Sequence, residues 1–529
     1  MHSVYIFRAT EKEFMTTLTH TEGINPATGE SLGNIPQNMA SDVRESVRKI
    51  RLAQISWAQS SFSDRGTHLR KMQQHLVEHG EAYARIISAD NGKTLADAYM
   101  TEISSAVLAF DYHIKHAARV LRTRRIKGSH IFSLFTRNRL QQVPRGVIGI
   151  ISPWNYPLAI PMHEILMALM AGNGLLYKAA SESQSVGQII QKIVDAGELP
   201  QDLFIQVNIP GRVAGDAFLE AGIDKLFFTG SVAVGKKLMQ KAAESLTPVS
   251  LELGGNDPMI ICNDANLKKA ANGAIWAGFS NSGQSCAGIE RVYVHRDVYK
   301  PFLKILKKKV EKLKVGNPAS KDTHIGVMTT AKQQESVRRV LKQAIDQGAV
   351  VAAISQIDES ISQALPATVL VDVNHQMALM REETFGPVLG VMPFKNIDEA
   401  IQLANDSDLG LTASIWTKNH RFGRKIAAQL EAGVVTINNH LISHGIPNLP
   451  WGGFKQSGVG RTHGELGLLE MTEPRVIVND YLPLNKQFYW TPVPGFVYRR
   501  WIGFIMIVGG TWQFKLRGLL KFIFGFKKL

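Results

Sequence analysis

Apolar residues recur at helical spacing from Ser41 to about Ile87, with Val43, Val47, Ile50, Leu52, Ile55 and Trp57 supplying an apolar side, and a second helical stretch runs from Thr101 to about Val120. The pattern then changes. Val147-Ile-Gly-Ile-Ile151 is a continuous apolar run that ends in the polar, proline-bounded segment Ser152-Pro-Trp-Asn-Tyr-Pro157, which predicts a buried strand feeding a loop. A helix is expected over Met162 to Met170, and further strands at Leu175-Leu-Tyr177, Leu203 to Val207 and Leu226-Phe-Phe-Thr229, the last turning at Gly230-Ser231 into a helix. The second half keeps this texture: helices near Lys304–Leu313 and over 328–346, with a strand at Thr368–Val371 and the run Val-Val-Thr-Ile-Asn-Asn over 434–439. Strand and helix in alternation imply an α/β fold with a mostly parallel sheet, whose ligands gather at the carboxyl ends of the strands. Between Arg122 and Arg145 the chain is basic and turn-rich and is expected to form projecting extended strands.

Composition narrows the classes. With 529 residues, 45% hydrophobic and 20% charged, the chain is long enough for two or more cored domains. Only Cys262 and Cys286 are present, which excludes a disulfide framework and a four-thiolate metal site and fits a reducing compartment. The start, Met1 to Arg8, lacks the apolar length and cleavage pattern of a signal peptide. The net charge of +15 does not point to nucleic acid: no reader motif is present, and eight of the positive charges lie after Asp480, where no acid occurs. There Trp501 to Phe514 is uncharged but shorter than a bilayer span. Lys515 to Leu529 sets Leu516, Leu519, Leu520, Ile523 and Phe526 against Arg517, Lys521 and Lys528, the signature of a segment lying in an anionic membrane interface; packing against another subunit is the other reading.

The reactive chemistry centres on Phe279-Ser-Asn-Ser-Gly-Gln-Ser-Cys286 and Leu251-Glu-Leu-Gly-Gly255. A cysteine needs only a lowered pKa or a nearby base to act as a nucleophile, and a glutamate beside a glycine pair could be that base; taken singly, each also reads as a small buried hydrophobe and a surface acid. Gly230, Ser231 and Gly235 could present N–H groups to a pyrophosphate, or form a plain tight turn, since no G-x-G-x-x-G fingerprint is present. Trp451-Gly-Gly-Phe-Lys-Gln-Ser-Gly-Val-Gly-Arg461 is flexible enough to wrap closely around a substrate or a neighbouring chain.

In order along residues 20 to 480, these motifs resemble the aldehyde dehydrogenase superfamily: Pro153-Trp-Asn-Tyr-Pro157, Phe228-Thr-Gly-Ser231 with Gly235, Glu252-Leu-Gly-Gly255, Asn281-Ser-Gly-Gln-Ser-Cys286, Glu383-Thr-Phe-Gly-Pro387 and Gly452-Gly-Phe-Lys-Gln-Ser-Gly458. The resemblance implies a Rossmann-like coenzyme domain (1–124 and 145–254), an α/β catalytic domain (255–471) and a small β extension for oligomerisation (125–144 and 472–485); 486–529 lies beyond it and is expected, from its composition, to be a membrane-associating tail. It implies NAD or NADP as cofactor, no metal, an aldehyde substrate and a homo-oligomer, in the cytoplasm or at the cytoplasmic face of a membrane. Cys286 would attack the aldehyde, Asn155 and the Cys286 N–H would stabilise the oxyanion, and Glu252 would activate water to hydrolyse the resulting thioester. Coenzyme contacts are implied at Ile151, Ser152, Pro153, Trp154, Lys178, Ser181, Gly211, Phe228, Gly230, Ser231, Leu253, Glu383 and Phe385.

The chain departs from the family pattern in three places. Three residues after Lys178, where relatives often carry a glutamate that favours NAD, it has Ser181, with Glu182 next; both coenzymes therefore stay open. A lysine nine residues after the oxyanion asparagine and a glutamate near the end of the catalytic region, which serve proton transfer in many relatives, are Glu164 and Thr462 here. Glu164 is expected either to assist Glu252 by another route or to face solvent without a role. The arginine that succinate-semialdehyde relatives place eight residues after the asparagine is His163, and neutral histidine is no substitute for a guanidinium fork. Medium- or long-chain apolar aldehydes are thus expected ahead of succinate semialdehyde. A CoA-acylating relative and a catalytically silent membrane scaffold are the further alternatives.

Overall fold

The computed structural model describes residues 20–128, 135–481, 483–487 and 489–524. Packing divides the chain into two units, Met1–Arg122 with Gln142–Pro474, and Thr123–Gln141 with Arg475–Leu529.

The larger unit is built on two sheets. In the first, the strands run in the order Gly458–Val459, Val249–Glu252, Lys225–Thr229, Val147–Ile151, Gly174–Lys178, Phe204–Gln206, all parallel except the first. Val147–Ile151 is both the first of the parallel strands in sequence and a central one, flanked by Gly174–Lys178 on one side and Lys225–Thr229 on the other. Successive strands therefore depart from it in opposite directions, and a crevice opens at its carboxyl end. The helix Ala159–Ala171, every residue of which is buried, packs behind that crevice, and Gly172 in left-handed conformation turns the chain back into the next strand. The second sheet has the order Val350–Ile354, Thr368–Val371, Val388–Phe394, Ile289–His295, Asp257–Ile261, Thr412–Trp416, Val434–Ile437, parallel except for the first pair. Its central strands are almost wholly buried, polar residues such as Glu290 and Arg291 included, while the edge strand Val350–Ile354 is largely exposed.

The stretch expected to be helical from Ser41 to Ile87 is two helices, Asp42–Trp57 and Phe62–Asn91. The break falls where Ser61 accepts from the Asp64 N–H and Asp64 accepts from the Ser61 N–H, a reciprocal cap that starts the second helix afresh. Val43, Val47, Ile50 and Trp57 are buried as expected, but Leu52 and Ile55 are 60% and 55% exposed, since they fall off the stripe that the other four define. The helix expected from Thr101 begins with a π-helical segment, Ala98–Ile103, before Ser104–Leu121.

The smaller unit carries a three-stranded sheet in the order Thr472–Asp480, Thr136–Pro144, Arg124–Ile126. It also carries two helices, Gly495–Gly509 and Trp512–Phe524. The helices form a hairpin whose backbones meet at Gly503 and Gly518: a Cβ on Gly503 would lie 2.6 Å from the Gly518 carbonyl oxygen. That close approach spends the small residues on the inside and leaves Ile502, Ile505, Val508, Trp512, Phe514, Leu516, Leu519, Leu520 and Ile523 exposed. Phe526, Lys527 and Lys528 lie outside the described residues, as does the segment Met1 to Arg8. Among the described residues no helix is long and apolar enough to cross a membrane.

Candidate active site

Cys286 lies beyond the helix Leu267–Phe279, at the end of a tightly folded loop. Asn281, Ser282 and Gly283 take successive positive φ angles of 51°, 55° and 70°, and a Cβ on Gly283 would sit 2.2 Å from the backbone of Gly386, so only glycine fits there. The loop is tied to the first sheet's crevice. Asn281 Nδ2 donates to the Asn155 carbonyl at 2.9 Å, and Asn155 Nδ2 donates to the Gln284 carbonyl at 3.2 Å. Asn155 is therefore fixed beside the nucleophile loop with its amide pointing toward that segment. Behind it stands a pair that carried no sequence signal: buried Lys93 bonds Glu102 at 2.5 Å and the Asn155 carbonyl at 2.9 Å, while Glu102 accepts from the N–H groups of Leu158 and Ala159. Because each charge is paired and hydrogen-bonded, the ion pair pins the asparagine loop without an orphaned charge.

Three spaces meet at the thiol. The first is a cleft of about 280 Å³ that brings together Pro153, Trp154, Asn155, Gly230, Ser231, Glu252, Leu253, Cys286, Glu383 and Phe385. Phe385 stands edge-on to Trp154 with ring centroids 5.5 Å apart. Glu383 lies against glycine backbone: it accepts from Gly255 N–H at 3.1 Å, and a Cβ on Gly254 would collide with its carboxylate at 2.2 Å. Its loop is held by a residue that sequence reasoning missed, Glu290, which accepts from the N–H groups of Thr384 and Phe385 and from Asn256 Nδ2. The other residues implied at the coenzyme fall on the same carboxyl edge but outside the cleft lining. Ile151 pairs with both Lys178 and Phe228 across the sheet, and Ser152 N–H donates to the Lys178 carbonyl. Ser181 opens a short 3₁₀ turn, with exposed Glu182 after it, and Gly211 starts the helix Gly211–Glu220. Burial lowers the Lys178 pKa to about 8, and its ammonium donates to the Ala179 carbonyl.

These features fit a dinucleotide. The helix Val232–Ala243 starts at Ser231, which lines the cleft and makes no side-chain cap, so the helix N-terminus lies where a pyrophosphate would need it.

The second space is an apolar cavity of about 210 Å³ on the other side of Cys286, lined by Met100, Leu108, Ile160, Trp276, Leu441, Ile442 and Trp451, with Thr101, Ser104, Ser105, Tyr156, Ser285 and His444 as its polar members. No lysine or arginine lines it. The third is a chamber of about 20 Å³ bounded by Glu252, Cys286, Glu164, Thr229, Thr462, His444 and His463. Both carboxylate oxygens of Glu252 are buried without a hydrogen-bond partner, and desolvation, reinforced by Glu164, pushes its pKa well above the ordinary value. Glu164 is 2% exposed rather than solvent-facing, because the whole helix that carries it is interior, and burial raises its pKa to about 8. The Cys286 thiol is likewise pushed up, by desolvation first and then by Glu383, Asp257 and Glu252. The site thus holds a masked thiol and an unpaired basic carboxylate between a polar cleft and an apolar cavity. Among the described residues no cluster of three or more histidine, cysteine or acidic side chains could hold a metal ion.

Residues 15–477 match the Aldehyde dehydrogenase family. A protein of Methylomonas sp named 4,4'-diapolycopene aldehyde oxidase is 37% identical over 95% of this chain and 93% of its own length. One of Mycolicibacterium smegmatis, provisionally named a succinate-semialdehyde dehydrogenase [NADP(+)], is 34% identical over 85% of this chain and 87% of its own. The NAD+ complex of an aldehyde dehydrogenase from Bacillus cereus superposes with a TM-score of 0.83 at 34% identity, covering 87% of this chain and 93% of that one.

Proposed function

The chain belongs to the aldehyde dehydrogenase family and is an NAD(P)-dependent enzyme, and we propose that it oxidises medium- or long-chain apolar aldehydes to carboxylic acids through a thioester on Cys286. The observation that carries this reading is the position of the thiol between an apolar, cation-free cavity and the coenzyme cleft. An aldehyde whose hydrocarbon fills the cavity presents its carbonyl carbon to the sulfur. As the thiol gives its proton to water in the cleft, the sulfur attacks to form a C–S bond and an alkoxide, which the Asn155 amide and the Cys286 N–H stabilise. NAD(P)+ held by Trp154, Ser231, Glu383 and Phe385 in the cleft would supply the hydride acceptor for this adduct. Glu252 then takes a proton from a water that attacks the thioester carbonyl; the C–S bond breaks and the acid is released. A base without a hydrogen-bond partner and with a raised pKa suits that step, since nothing competes for its oxygens.

Succinate semialdehyde stands second. Its support is the name of the mycobacterial relative, and against it His163 is fully buried among other histidines, outside the apolar cavity's lining. NADP is favoured by Ser181, which removes a carboxylate from the ribose side, and by that same relative's name. The helical hairpin supplies membrane contact: its exposed apolar side chains accompany Arg499, Arg500, Lys515, Arg517 and Lys521 with no acidic residue beyond Asp480, a composition suited to lying in an anionic lipid surface. The sheet of the smaller unit serves homo-oligomerisation, and binding of anionic but not neutral vesicles by the full chain, lost on removal of 486–529, tests the lipid contact.

The function is tested by following NADH and NADPH formation from decanal and from succinate semialdehyde, with Cys286→Ala as control. Cys286-dependent turnover of decanal supports the proposal. Turnover of succinate semialdehyde alone reverses the substrate ranking, and no turnover of any aldehyde by folded, coenzyme-binding protein overturns the reading in favour of a scaffold.

A further inference from the structure

One buried carboxylate joins the three segments that meet at the thiol. Glu290 follows Cys286 on the same segment, at the start of the strand Ile289–His295, and is 3% exposed. Its Oε1 accepts from the N–H groups of Thr384 and Phe385, at 2.9 and 2.8 Å. Its Oε2 accepts from the Thr384 N–H at 3.0 Å and from Asn256 Nδ2 at 2.7 Å. Asn256 belongs to the segment of Glu252, and its amide also donates to the Glu382 carbonyl. The nucleophile's segment, the base's segment and the turn that carries Glu383 and Phe385 are therefore fastened at a single side chain.

The turn needs that fastening. Phe385 holds a left-handed φ of 52°, a strained conformation for a residue with a Cβ, and two consecutive N–H groups converge on one side, where a carboxylate satisfies both. From the other side Gln333, itself in the cleft wall, donates to the Thr384 and Phe385 carbonyls. Glu290 is not filler, because a carboxylate taken out of water is costly unless its charge is used. Desolvation raises its pKa to about 7 against the opposing pull of its three donor groups and Arg291. The charged groups bearing on it are Arg291 on its own strand, Asp257 on the neighbouring strand and Glu383 on the turn.

We propose that Glu290 is a positioning residue for the coenzyme, and that its ionised carboxylate holds the turn Thr384–Phe385 so that Glu383 and Phe385 face the end of NAD(P)+ that takes the hydride. This deepens, and rests on, the reading of the cleft as the coenzyme site of an aldehyde-oxidising centre. The hydride leaves a carbon bonded to Cys286, so the accepting end of the coenzyme must lie in the part of the cleft that Cys286, Glu383 and Phe385 share. Ionisation decides the grip. Each carboxylate oxygen already accepts from two N–H donors, and a proton on either oxygen sets an O–H against them. The turn is held firmly above about pH 7 and loosens below it.

The test is coenzyme binding to the full chain, by fluorescence titration with NADH or NADPH, for wild type and Glu290→Gln. The amide keeps the size of the side chain but has one acceptor oxygen. The ratio of the variant's Kd to that of wild type should be about tenfold at pH 8 and approach one at pH 6, where wild type has itself lost the carboxylate. Titration of the coenzyme, of Lys178 or of Glu383 cancels in that ratio, and a merely structural role would leave it the same at both values. The coenzyme KM should follow it while the aldehyde KM stays unchanged, and Glu290→Asp, which keeps the charge on a shorter arm, should recover part of the affinity at pH 8. Calorimetry of wild type in two buffers of different ionisation enthalpy needs no variant to fold: at pH 7 binding should release about half a proton per coenzyme. A ratio independent of pH, or binding with no proton released, would overturn the proposal. Failure of both NADH and NADPH to bind would instead remove the coenzyme reading on which it rests.

Discussion

The two spaces flanking Cys286 are made differently. The coenzyme cleft is built from backbone: strand ends, a helix N-terminus and glycines at which a Cβ would strike Glu383 or Phe228. The apolar cavity is built from side chains of the π-helical turn, the helix Ser104–Leu121, Trp276 and residues 441–451, segments far apart in sequence and without a shared motif. A cleft that needs backbone at close range tolerates few residues per position, whereas a cavity that needs only volume and apolarity tolerates many. The first should therefore respond to substitution with loss of chemistry and the second with changed preference.

The sharpest test of that contrast is at the junction. Cys286→Ala should lower turnover at least about 10⁴-fold with coenzyme binding retained, as measured by steady-state rates alongside NAD(P)H titration. Glu252→Gln should lower steady turnover by about 10²-fold yet leave a first burst of NAD(P)H, because the base serves water and not the thiol's attack. Equal loss in the burst and the steady phase would move Glu252 to the acylation step. Gly283→Ala forces a side chain onto the backbone of Gly386 in a left-handed conformation, so a destabilisation of about 1–3 kcal/mol is expected in denaturant melts. On the cavity side, Leu108→Arg places a cation at a half-exposed position of the lining. It should leave the coenzyme KM unchanged and improve the succinate semialdehyde to decanal ratio of kcat/KM by about tenfold. An equal fall for both aldehydes would mean that the cavity wall is as constrained as the cleft.

The same contrast explains what was legible in the sequence. The first sheet's strands Val147–Ile151, Gly174–Lys178 and Lys225–Thr229 could be read because they are buried apolar runs, whereas Asp257–Ile261, Ile289–His295 and Thr412–Trp416 went unread because polar residues interrupt or flank them; the cleft residues came from the order of motifs that carries the family resemblance. Lys93, Glu102 and Glu290 were not legible. Each is an ordinary charged residue whose work is defined by partners dozens of residues away, and spacing carries no trace of that. Leu52 and Ile55 misled for the opposite reason: an apolar residue beside a stripe looks the same in sequence as one within it. Glu164 was ambiguous between solvent and interior until the all-buried helix around it removed the choice.

The region behind the thiol resembles neither flank, since it is interior yet titratable, and pH exposes the difference. Burial lowers the pKa of His113 to about 3 and that of His444 to about 4, from 6.5. An unfolded chain binds protons at these sites below pH 6.5 that the folded chain refuses, so their contribution to stability is present above pH 6.5 and is lost as pH falls toward 4. Glu164 has the opposite sign: its folded pKa of about 8 lies above 4.5, so the folded chain holds a proton that the unfolded chain has given up, and stability is lost as pH rises from 4.5 through 8. Measured as Tm against pH, His113→Phe should gain on wild type steadily below pH 6.5, and Glu164→Gln should gain on it toward pH 8. The groups facing His113 are Tyr112, His116 and His163, none of them an acid that could hold its imidazolium, so the first divergence should survive added salt. Tm curves parallel to wild type in both variants would show that these side chains titrate as if in water, and the back of the site would then be no different from its open flanks.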